Sequence, residues 1–349
     1  MRLRLGTKNS ARVHGQMKLA RLLELPERDL ERRVREIEAG EVFRSLLQAG
    51  VIALETPSHA RIAARRFAGH GMRTSGEGLP ELIDGKGDLA QLMMRVGQEL
   101  FQECFLGETA LPDEARARLC GLTLDEVRRL REYVDRLYVQ EQFESAAASP
   151  APEKTFSAVA GIAIEDGKPI LSFFHRDIWN KRYRVDSEKQ KAWLGSLAAK
   201  AARRADTLLR ELDFIDRRKT TLYRVLEALI VEQADFLVAA DPERRRPLSQ
   251  KDLADRLDIA PSVLNRLIAN KSVELPWGLE SPLGTFVPSR KSMLLGRLHE
   301  LARKNPELSD EGLRAALKES SGIALSRRSI AQYRKDMGIS GRSRRAKEV

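Results

Sequence analysis

The chain has 349 residues, enough for two or three domains, and a formal net charge of +11, so an acidic partner is plausible from the outset. Only two cysteines occur, Cys104 and Cys120, with no CxxC spacing, which excludes a disulfide framework and a zinc finger and fits a reducing compartment. Aromatic residues make up 5%, too few for a base-stacking platform, and no run of about 18 apolar residues is present to cross a membrane.

The charge is localised. Residues 326–349 hold eight Arg or Lys against Asp336 and Glu348, so more than half of the excess lies in the last 24 residues. At the other end, MRLRLGTKNSAR lacks the apolar core of a signal peptide, and a cytoplasmic protein is expected.

Taken in chain order, the pattern is helical nearly throughout. Leu19, Leu22, Leu23, Leu30, Val34, Ile37, Leu46 and Leu47 recur at helical spacing over 16–48. Pro26 interrupts the run after Leu25 and opens a second helix with Glu27 and Asp29 in its first turn. Residues 55–87, rich in Gly and small side chains, are expected to be a linker. Helices are expected at 88–106, 112–120 and 123–145, the last capped by Thr123. The Ala/Pro-rich SAAASPAPEK (145–154) is a second linker. One clear β signal follows: AVAGIAIEDGKPILSFF reads as a hairpin turning at Asp166-Gly167. Residues 187–240 then read as two long helices, KQKAWLGSLAAKAARRADTLLREL and TTLYRVLEALIVEQADFLVA.

From Leu248 onward the chain reads as short helices joined by tight turns. In LSQKDLADRLDIAPSVLNRLIANK (248–271), Ser249 caps a helix carrying Leu253, Ala254 and Leu257 on one face. The turn Asp258-Ile259-Ala260 leads to Pro261, which suits the first position of a helix carrying Val263, Leu264, Leu267 and Ile268. Helix, short turn, helix is the helix-turn-helix pattern, whose second helix enters the major groove; an ordinary pair of packed helices would give the same spacing. The exposed face would show Ser262, Asn265, Arg266 and Asn270, with Lys271 at its end. Ser309-Asp310-Glu311 starts another helix, and a last one runs from about Ser326 to Met337, stopped by Gly338. On a helical wheel Ile330, Tyr333 and Met337 share one face, while Arg328, Gln332 and Lys335 share the opposite one. Ser329 lies beside the latter, and Arg327 and Arg334 sit at the flank. Such a helix can dock by its apolar side and present guanidinium and amide donors to base edges.

SRRSIAQYRK (326–335) resembles the ARRTVAKYRE signature, the RpoN box, of bacterial sigma-54 transcription initiation factors. ISGRSRR is similar to that family's Ile-Pro-Ser-Ser-x-x-Arg-Arg ending, and VLNRLIANKSVELPWGLESPLGTF (263–286) to its helix-turn-helix region. LARLLELPERDLERRVREIEAGEVF (19–43) is similar to its activator-interaction region, and LTLDEVRRLREYV (122–134) to a core-binding helix. The segment that should follow that core-binding helix is replaced by SAAASPAPEK, the acidic second region is missing, and the box carries Gln332 and Lys335 for Lys and Glu.

The resemblance implies a mainly α, elongated multidomain protein with a small β-hairpin insert, a helix-turn-helix domain and a C-terminal three-helix RpoN-box domain. The implied domains are 1–54, an activator-interaction-like region; 55–87, a linker; 88–145, shortened core-polymerase-binding helices; 155–247, the hairpin and long helices; 248–288, the helix-turn-helix; and 289–349, the box domain. The implied partners are double-stranded promoter DNA with −24 and −12 elements, core RNA polymerase and an AAA+ type activator ATPase, with no membrane. The location is cytoplasmic, bacterial and nucleoid-associated.

By resemblance Arg327, Arg328, Ser329, Gln332, Tyr333, Arg334 and Lys335 take the box positions at the −24 element. The wheel gives Arg328 and Gln332 to bases; Arg327, Arg334 and the tail residues Arg342, Arg344 and Arg345 to phosphates; and Tyr333 to packing. Ser262, Asn265, Arg266, Asn270 and Lys271 would lie near the −12 element. Leu22, Leu23, Leu25 and Leu30 are either activator-responsive or ordinary core. No enzymatic centre, metal site or cofactor is expected, since the five His fall in no HExxH pairing and no Walker-type loop occurs. A serine recombinase would need alternating strands before residue 155. The stronger rival is a promoter-binding regulator derived from sigma-54 that no longer binds polymerase productively.

Overall fold

A computed structural model describes residues 21–57, 61–63, 73–74, 87–106, 111–134, 154–288, 290–305, 307–321 and 325–336. Residues 21–24 form a helical turn, and Pro26 is the N-cap of α1 (Glu27–Ala39), whose acidic first turn suits the positive end of the helix dipole. Leu30, Val34 and Ile37 face inward from it. Gly40 separates α1 from α2 (Glu41–Gln48), which buries Phe43 and Leu46, and β1 (Ile52–Glu55) follows. Leu19 lies outside the described residues.

The expected helices of the next stretch are α3 (Gly87–Val96), α4 (Gln98–Phe101, continued by a π turn to Leu106), α5 (Asp113–Cys120) and a helical segment at 124–134. Thr123 and Glu126 form a reciprocal cap: the Glu126 N–H donates to Thr123 Oγ1 at 3.3 Å and the Thr123 N–H to Glu126 Oε2 at 2.8 Å. Residues 135–145 and most of both expected linkers lie outside the described residues.

The hairpin is present as β2 (Ser157–Glu165) and β3 (Lys168–Phe173), with Asp166 and Gly167 both left-handed at φ 49° and 71°. It is not an isolated insert. After α6 (Arg176–Trp179), β4 (Arg182–Val185) pairs antiparallel with β1, tying the amino-terminal helices to the body. α7 (Ser187–Gly195) leads to α8 (Ala199–Glu232), a continuous helix of 34 residues, and then to α9 (Ala234–Ala239). The expectation of two helices meeting near residues 213–219 is therefore corrected. The charged run DFIDRRK contains no breaker, and Arg218 and Lys219 point into the interior, where Glu27 and Asp216 neutralise them at 2.6 and 2.7 Å. The real interruption comes earlier, at 196–198.

α10 (Gln250–Leu257) and α11 (Pro261–Ile268) run directly into β5 (Lys271–Glu274), followed by β6 (Glu280–Pro282). β5 pairs parallel with β2, placing Lys271 opposite Ser157, and the four-stranded sheet has the order β3–β2–β5–β6. The hairpin is thus the platform on which the α10–α11 pair is mounted. One cluster of buried apolar side chains runs from Leu23 to Val287. A second, built from Leu294, Leu298, Ala302, Leu313, Leu317 and Ile330, belongs to α12 (Arg290–Lys304), α13 (Asp310–Ser321) and α14 (Arg327–Asp336).

Candidate nucleic-acid interface

α10 starts where Ser249 Oγ accepts the Asp252 N–H at 3.0 Å, and it buries Leu253 and Ala254. The turn closes without a glycine because Asp258 itself adopts the left-handed conformation, φ 52°, and the Ile259 N–H returns to Ala254 O at 3.0 Å. Pro261 opens α11, which buries Leu264, Leu267 and Ile268. That burial leaves Ser262, Asn265 and Arg266 exposed on the opposite side, a short polar ridge of the size a major groove admits.

The end of this ridge differs from expectation. Lys271 is fully buried, and its ammonium donates to Leu23 O at 2.9 Å and Asn270 Oδ1 at 3.1 Å. Burial, reinforced by repulsion from Arg218, pushes it down to about 7 despite the attraction of Glu27 and Glu24. Lys271 is a buried group that fastens the amino-terminal segment and is not on the exposed face of α11. Asn270 is half-buried and donates to Glu24 O, while Arg266 Nε lies 3.3 Å from the Glu24 carboxylate. The sequence offers no signal for this meeting, because 246 residues separate Asn270 from its partner.

Leu23 and Leu30 are core residues, and Leu22 packs partly buried against the same core. Leu25 is half-buried, with its carbonyl accepting Arg218 Nη2 at 2.9 Å. Leu22, Leu23 and Leu25 therefore lie in the segment that meets Arg266, Asn270 and Lys271, while Leu30 packs into the core from α1.

In the C-terminal unit, Ser309 Oγ accepts the Gly312 N–H at 3.2 Å, and Ser326 Oγ accepts the Ser329 N–H at 3.1 Å, which caps α14. Ile330 is fully buried and Tyr333 is half-buried against the same cluster, as the wheel predicts. Arg327, Arg328, Gln332 and Lys335 are exposed, and Ser329 is half-buried with its hydroxyl 2.9 Å from Ser326 Oγ. Arg334 is corrected: it is 5% exposed, its guanidinium paired with Asp310 Oδ1 at 2.9 Å and Leu308 O at 3.2 Å. It joins α14 to the start of α13 and is not available to a phosphate. Arg342, Arg344 and Arg345, with Met337 and Gly338, lie outside the described residues.

Two capped helix pairs, each with an exposed polar ridge, present surfaces of the kind that dock on duplex DNA. Residues 196–347 match the family model described as the sigma-54 DNA-binding domain. The chain is 32% identical over 138 residues to the RNA polymerase sigma-54 factor of Cereibacter sphaeroides, covering 36% of this chain and 31% of that protein. It is 32% identical over 135 residues to the sigma-54 factor of Bacillus subtilis (strain 168), with 35% and 31% covered. With the sigma-54 factor of Caulobacter vibrioides the identity is 26% over 251 residues, 64% of this chain and 47% of that one. The aligned regions span about a third to a half of the curated relatives' lengths. Over residues 196–347 the chain is thus similar to the DNA-binding domain of the sigma-54 factors.

Proposed function

We propose that the chain is a sigma-54-type transcription initiation factor that binds core RNA polymerase and directs it to −24/−12 promoters, with opening dependent on an ATP-hydrolysing AAA+ activator. The observation that carries this reading is the pair of exposed donor ridges, Ser262, Asn265 and Arg266 on α11 and Arg327, Arg328, Gln332 and Lys335 on α14, within a matched DNA-binding domain. Arg328 is the guanine-reading candidate, because a guanidinium fork bonds guanine O6 and N7 together. Arg327 and Lys335 hold the helix by phosphates. Activator dependence is carried by the segment holding Leu22, Leu23, Leu25 and Leu30: Glu24 of this segment contacts Arg266 and Asn270, so moving it would change what α11 presents.

A gel-shift assay with bacterial core polymerase and a −24/−12 fragment tests the reading. A polymerase-dependent supershift that Arg328→Ala abolishes supports it. DNA shifted by the protein alone, with no response to polymerase, leaves instead a regulator that occupies such promoters without firing them.

A further inference from the structure

Residues 98–106 are seated on the β5–β6 hairpin, far away in sequence. Gly278, in the hairpin turn at φ 91°, lets that turn press on α4: a Cβ there would lie 3.4 Å from Phe101 Cδ1 and 3.5 Å from Gln98 Cγ. Gln98 and Gln102 stand one turn apart, and both side-chain amides donate to Glu274 Oε1 of β5, Gln102 at 2.9 Å. Glu274 is fully buried, and two N–H donors meeting one carboxylate oxygen suit a charged acceptor.

Across the ladder, Glu280 of β6 is the register partner of Glu274, so the two carboxyl groups leave the same face of the hairpin. Like charges held side by side away from water cannot both ionise cheaply. The Ser272 hydroxyl, two residues along the same face of β5, donates to Glu280 Oε1. Among the described residues, no other element brings a counter-charge to Glu280. Lys271 turns its ammonium to Leu23 O, and β2 sets Ser157, Ala158, Ala160 and Gly161 beside β5. Residues 275–279 and 281–286 carry no ionisable side chain, and Glu99 and Glu103 of α4 are exposed. Burial pushes Glu280 from an ordinary 4.5 up to about 7; the Ser272 hydrogen bond opposes the rise and the Glu274 charge adds to it.

We propose that the seat of α4 on the β5–β6 hairpin is a proton-operated latch, closed while the Glu274–Glu280 pair carries one negative charge and loosened when it carries two. Because α11 runs directly into β5, the latch decides whether residues 98–106 and α11 move as one piece.

The test is amide hydrogen exchange of the full chain, read by mass spectrometry from about pH 4.5 to 8.5 and corrected for the intrinsic pH dependence of exchange. The closed latch holds a proton that the open one releases, so closure weakens as pH rises from 4.5 to about 7 and then stays level. Over that window the opening constant of residues 98–106 and 271–282 should rise by up to about tenfold per pH unit. The stretch 222–230 of α8, which buries Leu222, Val225, Leu226, Leu229 and Ile230, should stay protected. Glu280→Gln keeps the shape and an acceptor for Ser272 without the charge, and should hold both segments at the slow low-pH rate throughout. Ser272→Ala removes the donor that favours the ionised carboxylate, so its rise should continue to higher pH than in wild type. Wild-type protection of both segments that does not change with pH overturns the latch, and so does a Glu280→Gln profile that follows wild type. A loss shared equally by 222–230 also overturns it, since the titration would then belong to global unfolding. If Glu280→Gln does not fold, Ser272→Ala decides: a profile identical to wild type sinks the proposal, and a shift to higher pH sustains it. Neither DNA nor polymerase takes part, so the outcome is independent of the proposed function.

Discussion

The most exacting structural prediction concerns Glu27 and Arg218, which meet at 2.6 Å with both side chains fully buried. Arg218 also donates to Leu25 O, and Lys271 lies close enough to influence both charges. Burial alone would raise the Glu27 carboxyl, yet Arg218 and Lys271 together hold it below its ordinary value. Glu27→Gln removes the anion of this cluster and strands the buried Arg218 guanidinium, so it should cost about 3–5 kcal/mol, the range for breaking a buried pair from one side. Arg218→Met is predicted to cost less. The carboxylate it strands still has Lys271, whose ammonium would regain its proton and take over as counter-charge. Glu27→Leu with Arg218→Met removes both charges and should recover most of the loss, because buried pairs replaced by apolar volume are often neutral.

Urea unfolding at pH 7.5, followed by tryptophan fluorescence, is the assay, since Trp179 and Trp277 are both buried in this core. Single variants each costing under about 1 kcal/mol, or a double variant equal to their sum, would refute the reasoning.

Lys271 predicts a pH effect. Its folded value of about 7 lies below the ordinary 10.5, so between those values the unfolded chain binds the extra proton and stability rises with pH. The stability of wild type minus that of Lys271→Met should therefore grow with pH between 7 and 10.5, by up to about 1.4 kcal/mol per unit. Arg334→Ala should lower the melting temperature of the C-terminal unit by breaking the Asp310 pair, whereas Arg328→Ala should leave melting unchanged and cost about 1–3 kcal/mol in DNA affinity. Burial and the adjacent Cys104 thiol push Cys120 up to about 12, so neither thiol should react with an exposed-thiol reagent until the protein unfolds.

The features legible in the sequence are local ones. Ser249, Ser309, Thr123, Pro261 and the Asp166-Gly167 turn act through neighbours within a few residues, and each stands where its chemistry requires. Ile330 and Tyr333 on one face of α14 follow from period alone. The strands β1, β4, β5 and β6 were not legible, because each is short and is defined by a distant partner. β5 is the clearest case: Lys271, Ser272 and Glu274 are polar residues in a fully buried strand, and Lys271 bonds Leu23 O while Glu274 Oε1 accepts from Gln102, both far along the chain. In α8, Arg218 and Lys219 fall between the two helices expected from the sequence and are in fact paired interior groups of one helix. The wheel placed Arg334 at the flank of the box helix, and only the fold brings Asp310 to it. Lys271 and Arg334 show the same limit: a helical wheel or an exposed-face argument reads periodicity and does not see a partner on another element.

The central claim is that α11 and α14 read two separate promoter elements. Hydroxyl-radical footprinting of the full chain with core polymerase on a −24/−12 fragment tests it most directly, with Arg328→Ala and Asn265→Ala run in parallel. The account predicts that Arg328→Ala loses protection at −24 alone and Asn265→Ala at −12 alone. Protection unchanged in both variants, or lost at both elements together in each, would contradict it.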